Sequence, residues 1–254
     1  MGSVGGWRAA FLKVRNNIAP PGRGRLTAGQ ATNRCDNRIP RFNEDHFADT
    51  RFACAPIQDL ISHDVELGPV PADSLSPEAE ARIRQLLFIT GAESGGHLPG
   101  AVEAAAASVD GLNLVPTLNA YAGDMSDHHA FRLAREPYLF LSCGQGRYYH
   151  HPLDSLDTPG WINFDKTRQV HELVVELLRK VDVSSDSADG SDADGKPAPK
   201  LPGRIDTTEF EIRHLEAAFG PLLPAILAKV GLMDLRSRED IDRIASALRG
   251  TLLR

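Results

Sequence analysis

From residue 52 onward, apolar positions first come as short unbroken runs and later recur at helical spacing. "FACAPIQDLI" (52–61) is a short apolar run ending in an acid, which predicts a buried strand, although Pro56 removes a ladder donor. "RQLLFITGAE" (84–93) predicts a second strand and a turn, and "LNLVPTLNAY" (112–121) a third strand with an edge or bulge at Pro116. "PYLFLSCG" (137–144) is a fully apolar fourth strand. Between these lie an alanine-rich helix, "LPGAVEAAAASVD" (98–110), and a short helix, "SDHHAFRLAR" (126–135), that starts with Ser126 in N-cap position. In residues 163–182, Val170, Leu173, Val174, Leu177 and Leu178 share one helical face. Three more helical stretches follow, at 207–220, 221–231 and 237–253.

Strands alternating with helices predict an α/β fold, a three-layer, mostly parallel sheet flanked by helices. The expected division is an irregular segment at 1–38, a main domain at 39–182, a flexible Ser/Asp/Gly and Pro/Lys linker at 183–206, and a helical tail at 207–254 that forms a small appendage or packs on the main domain. The aspartates of that linker do not keep calcium-loop spacing.

Composition narrows the picture little. The 254 residues carry a net charge of −6 and no long lysine/arginine cluster, so no nucleic-acid stripe is expected. No apolar stretch approaches the roughly 20 residues that cross a bilayer. Three cysteines without a CxxC spacing argue against a disulfide framework or a cysteine zinc knuckle. With no secretory signal pattern at the start, a cytoplasmic location is expected.

Candidate chemistry falls in three places. Asp59 in "QDLISHDV" stands where a carboxylate could ligate a cation, or simply begin an exposed loop; His63 and Asp64 follow as structural polar residues. In "DMSDHHAF" (124–131), Asp127 either decorates a helix start or tunes a neighbouring carboxyl group. In "YYHHPLDSLD" (148–157), an imidazole on a proline-stiffened loop near Asp154 is raw material for a metal site, or an ordinary polar loop. If the sheet is largely parallel, all three clusters converge on the edge where the strands end.

The order of "DLISHDV", "LLFITGAESG", "GDMSDHHAF", "PYLFLSCG" and "YYHHPLDSLD" resembles the second half of the M28 zinc peptidases, the co-catalytic zinc aminopeptidases whose fold glutaminyl cyclases share. The resemblance covers roughly residues 40–182. It implies a zinc exopeptidase-like fold, present in part, with one or two zinc ions and a peptide substrate. It implies that Asp59 and His150 are metal ligands and that His151 is not. Asp127 matches a residue beside the catalytic base, and Asp154 an orienter of the ligand histidine. The family's His-x-Asp motif and its Glu-Glu pair, the general base and a further ligand, are missing from this chain. Glu44 and His46 fall too late to replace them. No catalytic residue is therefore identified, and a truncated or altered copy is expected. Such a chain is a metallopeptidase by resemblance, weakly active or inactive in aminopeptidase-type hydrolysis. The alternatives are a glutaminyl-cyclase-type acyl transferase, or a non-catalytic binding module whose helical tail is its interaction surface.

Overall fold

The computed structural model describes residues 53–66, 75–186 and 205–252. The expected irregular segment (1–38), Glu44, His46 and most of the expected linker lie outside these residues.

Four short strands form one sheet: β1 (Ala55–Gln58), β2 (Leu86–Thr90), β3 (Asn113–Thr117) and β4 (Tyr138–Ser142), in the order β1-β4-β2-β3. β1 pairs parallel with β4 and β2 parallel with β3, but β4 and β2 run antiparallel. The sheet is therefore mixed rather than mostly parallel. The cause lies in the connection from β3 to β4. It holds only a four-residue helix, α3 (Asn119–Ala122), and a seven-residue helix, α4 (His128–Ala134). Neither carries the chain back across the sheet, so β4 starts at the edge where β3 ends. A parallel return needs a crossover that traverses the sheet.

The hydrophobic alternation resolves into two buried faces. Leu87, Ile89, Leu114, Leu139 and Leu141 share one side by register and are all buried. They join a cluster with Leu98, Ala101 and Val102 of α2 (Leu98–Ala106) and Val170, Leu173 and Leu177 of α5 (Phe164–Asp186), which pack on each other. Helix α5 runs on past residue 182, the expected end of the main domain. Phe88, Val115 and Phe140 share the opposite side, under Ile241, Ile244 and Ala245 of α8 (Arg238–Leu252). Helix α6 (Thr208–Phe219) packs along the outer strand β3. Its Arg213 pairs with Glu103 of α2, and its Leu215 reaches the same side as Phe88. With α7 (Leu223–Lys229), these helices share the core cluster through Phe210, Leu215, Leu227 and Ile244. Of the two arrangements expected for the tail, the structure has it packed on the main domain, where it supplies the third layer. No helix among the described residues is long and apolar enough to cross a membrane.

One helix escapes the hydrophobic pattern. α1 (Pro77–Arg84) starts at Ser76, whose Oγ accepts a hydrogen bond from Ala79 N at 3.2 Å, with proline in the first turn. The Ser-Pro-Glu signature at 76–78 was the available signal. Arg82 of α1 donates to the carbonyls of Ala217 and Ala218 at the end of α6, tying the tail to the sheet's approach.

Within the tail, Glu211 is 1% exposed and receives two bonds from Arg238, at 2.7 and 2.8 Å. The Thr207 hydroxyl donates to the same carboxylate. Removing the guanidinium strands a buried carboxylate, which costs about 3–5 kcal/mol. Arg238→Ala should therefore lower unfolding stability by about that amount in urea titration, and a loss under about 1 kcal/mol would contradict the pairing. Deleting residues 207–254 should expose the Phe88 face of the sheet. The remainder is expected to bind a hydrophobic dye and unfold without a sharp transition; a cooperative, dye-free fragment would show that the tail is dispensable.

Candidate functional site

The antiparallel junction splits the strand ends between two edges. The carboxyl ends of β1 and β4 share one edge with the starts of β2 and β3, and the ends of β2 and β3 lie at the other. Asp59 and the loop bearing His150 follow β1 and β4, so both leave the sheet at the first edge. Asp127 begins α4, and its neighbour His128 stacks on Tyr138 at the start of β4, which is the second edge. The expected convergence of three clusters is corrected to two, with Asp127 a strand length away, at about 3.3 Å per residue.

At the first edge the β1–β4 ladder continues for one step beyond the strands. Asp59 N donates to Leu141 O at 3.1 Å and Cys143 N to Leu60 O at 3.0 Å. Leu60 then turns the chain in the left-handed region, φ 55°. The loop after β4 is a series of tight turns, with Tyr149 N on Gly146 O, His151 N on Tyr148 O and Asp154 N on His151 O. His150 is exposed and itself left-handed, φ 58°, a conformation that costs a non-glycine residue on the order of 1–3 kcal/mol. Its ring lies against Tyr149, centroids 3.9 Å apart. His151 Nδ1 accepts from Leu153 N at 3.1 Å, a role within the turn.

Asp154, expected to orient the ligand histidine, has a tryptophan as its hydrogen-bond partner among the described residues. Its Oδ1 accepts from Trp161 Nε1 at 2.7 Å. Trp161 in turn stacks on His63 at 5.0 Å and 12°, and meets Tyr148 edge-on at 4.9 Å. The segment Ser62–Asp64 is fastened by Asn163, whose N donates to Ser62 O and whose Nδ2 donates to Asp64 Oδ1, both at 2.7 Å. Asn163 Oδ1 also accepts from Lys166 N at 2.9 Å, capping the first turn of α5.

Lys166 is the residue here that the pattern did not disclose. It is fully buried, and its Nζ donates to Arg84 O at 2.6 Å. Burial pushes its ammonium down, while the Cys143 thiol and Asp64 pull the other way. Burial likewise pushes the Cys143 thiol up. A lysine in the first turn of an amphipathic helix reads as solvated; only the packing of Arg84 and β4 over it makes it internal.

At the second edge the working carboxylate is Asp124, not Asp127. Asp124 accepts from Arg132 Nε at 2.7 Å and Asn119 Nδ2 at 3.2 Å, and it pairs with His129 Nδ1 at 2.9 Å. Arg132, foremost, holds its carboxyl below the usual range. Asp127 is exposed and occupies the N-cap, where Ser126 was expected, without a side-chain cap bond. His128 is fully buried between strand and loop; its Nε2 faces Gly123 O at 2.9 Å. A carbonyl only accepts, so Nε2 carries the proton and Nδ1 is left buried with no partner among the described residues.

A catalytic zinc takes three protein ligands. Among the described residues, no three His, Cys, Asp or Glu side chains gather to hold an ion. Asp59 and His150 share an edge, Asp127 does not, and Asp154 is committed to Trp161.

Burial, the leading cause in each case, holds the imidazoles of His63, His128 and His214 below the ordinary 6.5. Below that value the unfolded chain takes up protons that the folded chain refuses. Their contribution to stability is complete above 6.5 and is lost as pH falls through the lowered folded values. The urea midpoint should fall between about pH 7 and pH 5.5, before most carboxylates titrate. A flat or rising midpoint over that interval would be inconsistent with three imidazoles held below their ordinary value by the fold.

No protein-family model, no curated protein and no solved structure matches this chain.

Proposed function

We propose that the chain is an M28-like peptidase module that keeps the frame of a metal-binding edge without a full ligand set, with little or no aminopeptidase activity of its own. One observation supports the reading above the others. β1 and β4 are adjacent and parallel, and the two segments that resemble the family's ligand positions follow them, with Asp59 and His150 leaving the sheet at one edge. Side chains that must share one ligand need such a placement. Hydrolysis needs more: a third donor and a base to take the proton of the attacking water. Among the described residues no three potential ligands gather at that edge, and Asp127, the counterpart of the base's neighbour, stands at the other. The module's contribution on this reading is recognition of a peptide end.

Zinc titration followed by calorimetry, with leucine p-nitroanilide and an N-terminal glutamine peptide as activity probes, tests the proposal. Zinc should bind more weakly than about 1 μM, and Asp59→Ala and His150→Ala should each weaken it further by about tenfold. Release of amino acid and formation of pyroglutamate should be no faster than in the chelated protein. Zinc affinity unchanged in both variants would remove the basis for the shared edge. Chelator-sensitive turnover lost in His150→Ala would show an active enzyme instead.

A further inference from the structure

The face of the sheet under the tail is incompletely filled. Phe88, Val115 and Phe140 on one side, and Ile241 and Ile244 on the other, bound a cavity of about 110 Å³. None of its lining residues is charged, and most of its wall is aliphatic or aromatic. Apolar cavities of this order, ~150 Å³ in a well-studied case, stay dry and take up benzene. A charged ligand would lose its hydration there without a partner. An extended acyl chain has too much volume for the space.

The polar groups in the wall narrow the ligand further. Ser142 Oγ accepts from Gly144 N at 3.0 Å, and the Tyr121 hydroxyl donates to Asp242, so both are engaged. Thr90 also lines the cavity, is 2% exposed, and its Oγ1 has no hydrogen-bond partner among the described residues. Thr117, opposite Thr90 in the register of β2 and β3, lines it as well. A buried hydroxyl left unsatisfied is destabilising, a deficit that an incoming donor or acceptor removes. Met125, 55% exposed, stands in the wall with a flexible, polarisable side chain that suits a mouth.

We propose that this cavity is a binding site for a compact, uncharged, largely apolar molecule of about the size of one aromatic ring, carrying a single hydrogen-bonding group that meets Thr90 Oγ1. The site lies on the Phe88 face under α8, and it stands whether or not the chain handles peptides or zinc. It also gives the tail a second role: α8 both covers the sheet and forms one wall of the site.

Phenol, benzene and benzoate, titrated into the full chain at up to millimolar concentration, test this by amide chemical-shift changes and thermal unfolding. Phenol and benzene should shift resonances of the lining residues saturably and raise the unfolding temperature, and benzoate should do neither. Ala245→Phe fills the cavity and should abolish both effects. Thr90→Val keeps the shape and removes the hydroxyl; it should weaken phenol by about three- to tenfold and leave benzene unchanged. If Ala245→Phe does not fold, Thr90→Val with the two ligands decides alone. Absence of saturable phenol binding, equal binding of benzoate, or a phenol affinity unmoved by Thr90→Val would overturn the proposal.

Discussion

A sheet that is apolar on both faces must be covered on both, and the rest of this structure follows from that constraint. Leu87, Ile89 and Leu141 look one way and Phe88, Val115 and Phe140 the other. Each fully buried side chain of this kind is worth about 1.5–3 kcal/mol, lost wherever a face stays wet. α2 and α5 cover the first face, and α8 with α6 covers the second and the flank of β3. The C-terminal helices are held by the same burial that holds the sheet, so they belong to the domain rather than hang from it.

Strand direction, by contrast, decides the chemistry. Because β4 returns antiparallel to β2, the loop after β4 meets the loop after β1 and is separated from the start of α4. Asp59 and His150 are brought to one edge; Asp127 is not. The polar groups at that edge are then spent on structure. Trp161 takes Asp154, Asn163 takes Asp64, and Lys166 takes the carbonyl of Arg84. Each bond satisfies a group that burial would otherwise penalise. Together they fasten the loop after β4 to the segment after β1 and to the start of α5.

Much of the architecture was legible in the chain. The runs at 52–61, 84–93, 112–121 and 137–144 each contain a strand, and the spacing from Val170 to Leu177 marks the buried face of α5. Missed were α1, whose sign was a cap and a proline rather than an apolar stripe, and the burial of Lys166 and Glu211. A charged residue announces solvent unless its partner is known, and Arg238 is far from Glu211 in sequence. The end of the third run also misled: Asn119–Ala122 is a helical turn, fixed by Asn119 N on the buried Glu93 carboxylate at 2.8 Å.

By itself the sequence determined where the strands and most of the helices lie, because alternation, helical spacing and turn residues act over a few positions. It determined which residue types could do chemistry. Tertiary structure alone decided the direction of β4, the inclusion of the tail in the core, the partners of Asp154 and Lys166, and the cavity beside Thr90. Each of these depends on contacts between segments far apart in the chain, where closure and packing of the whole domain, not local preference, set the outcome.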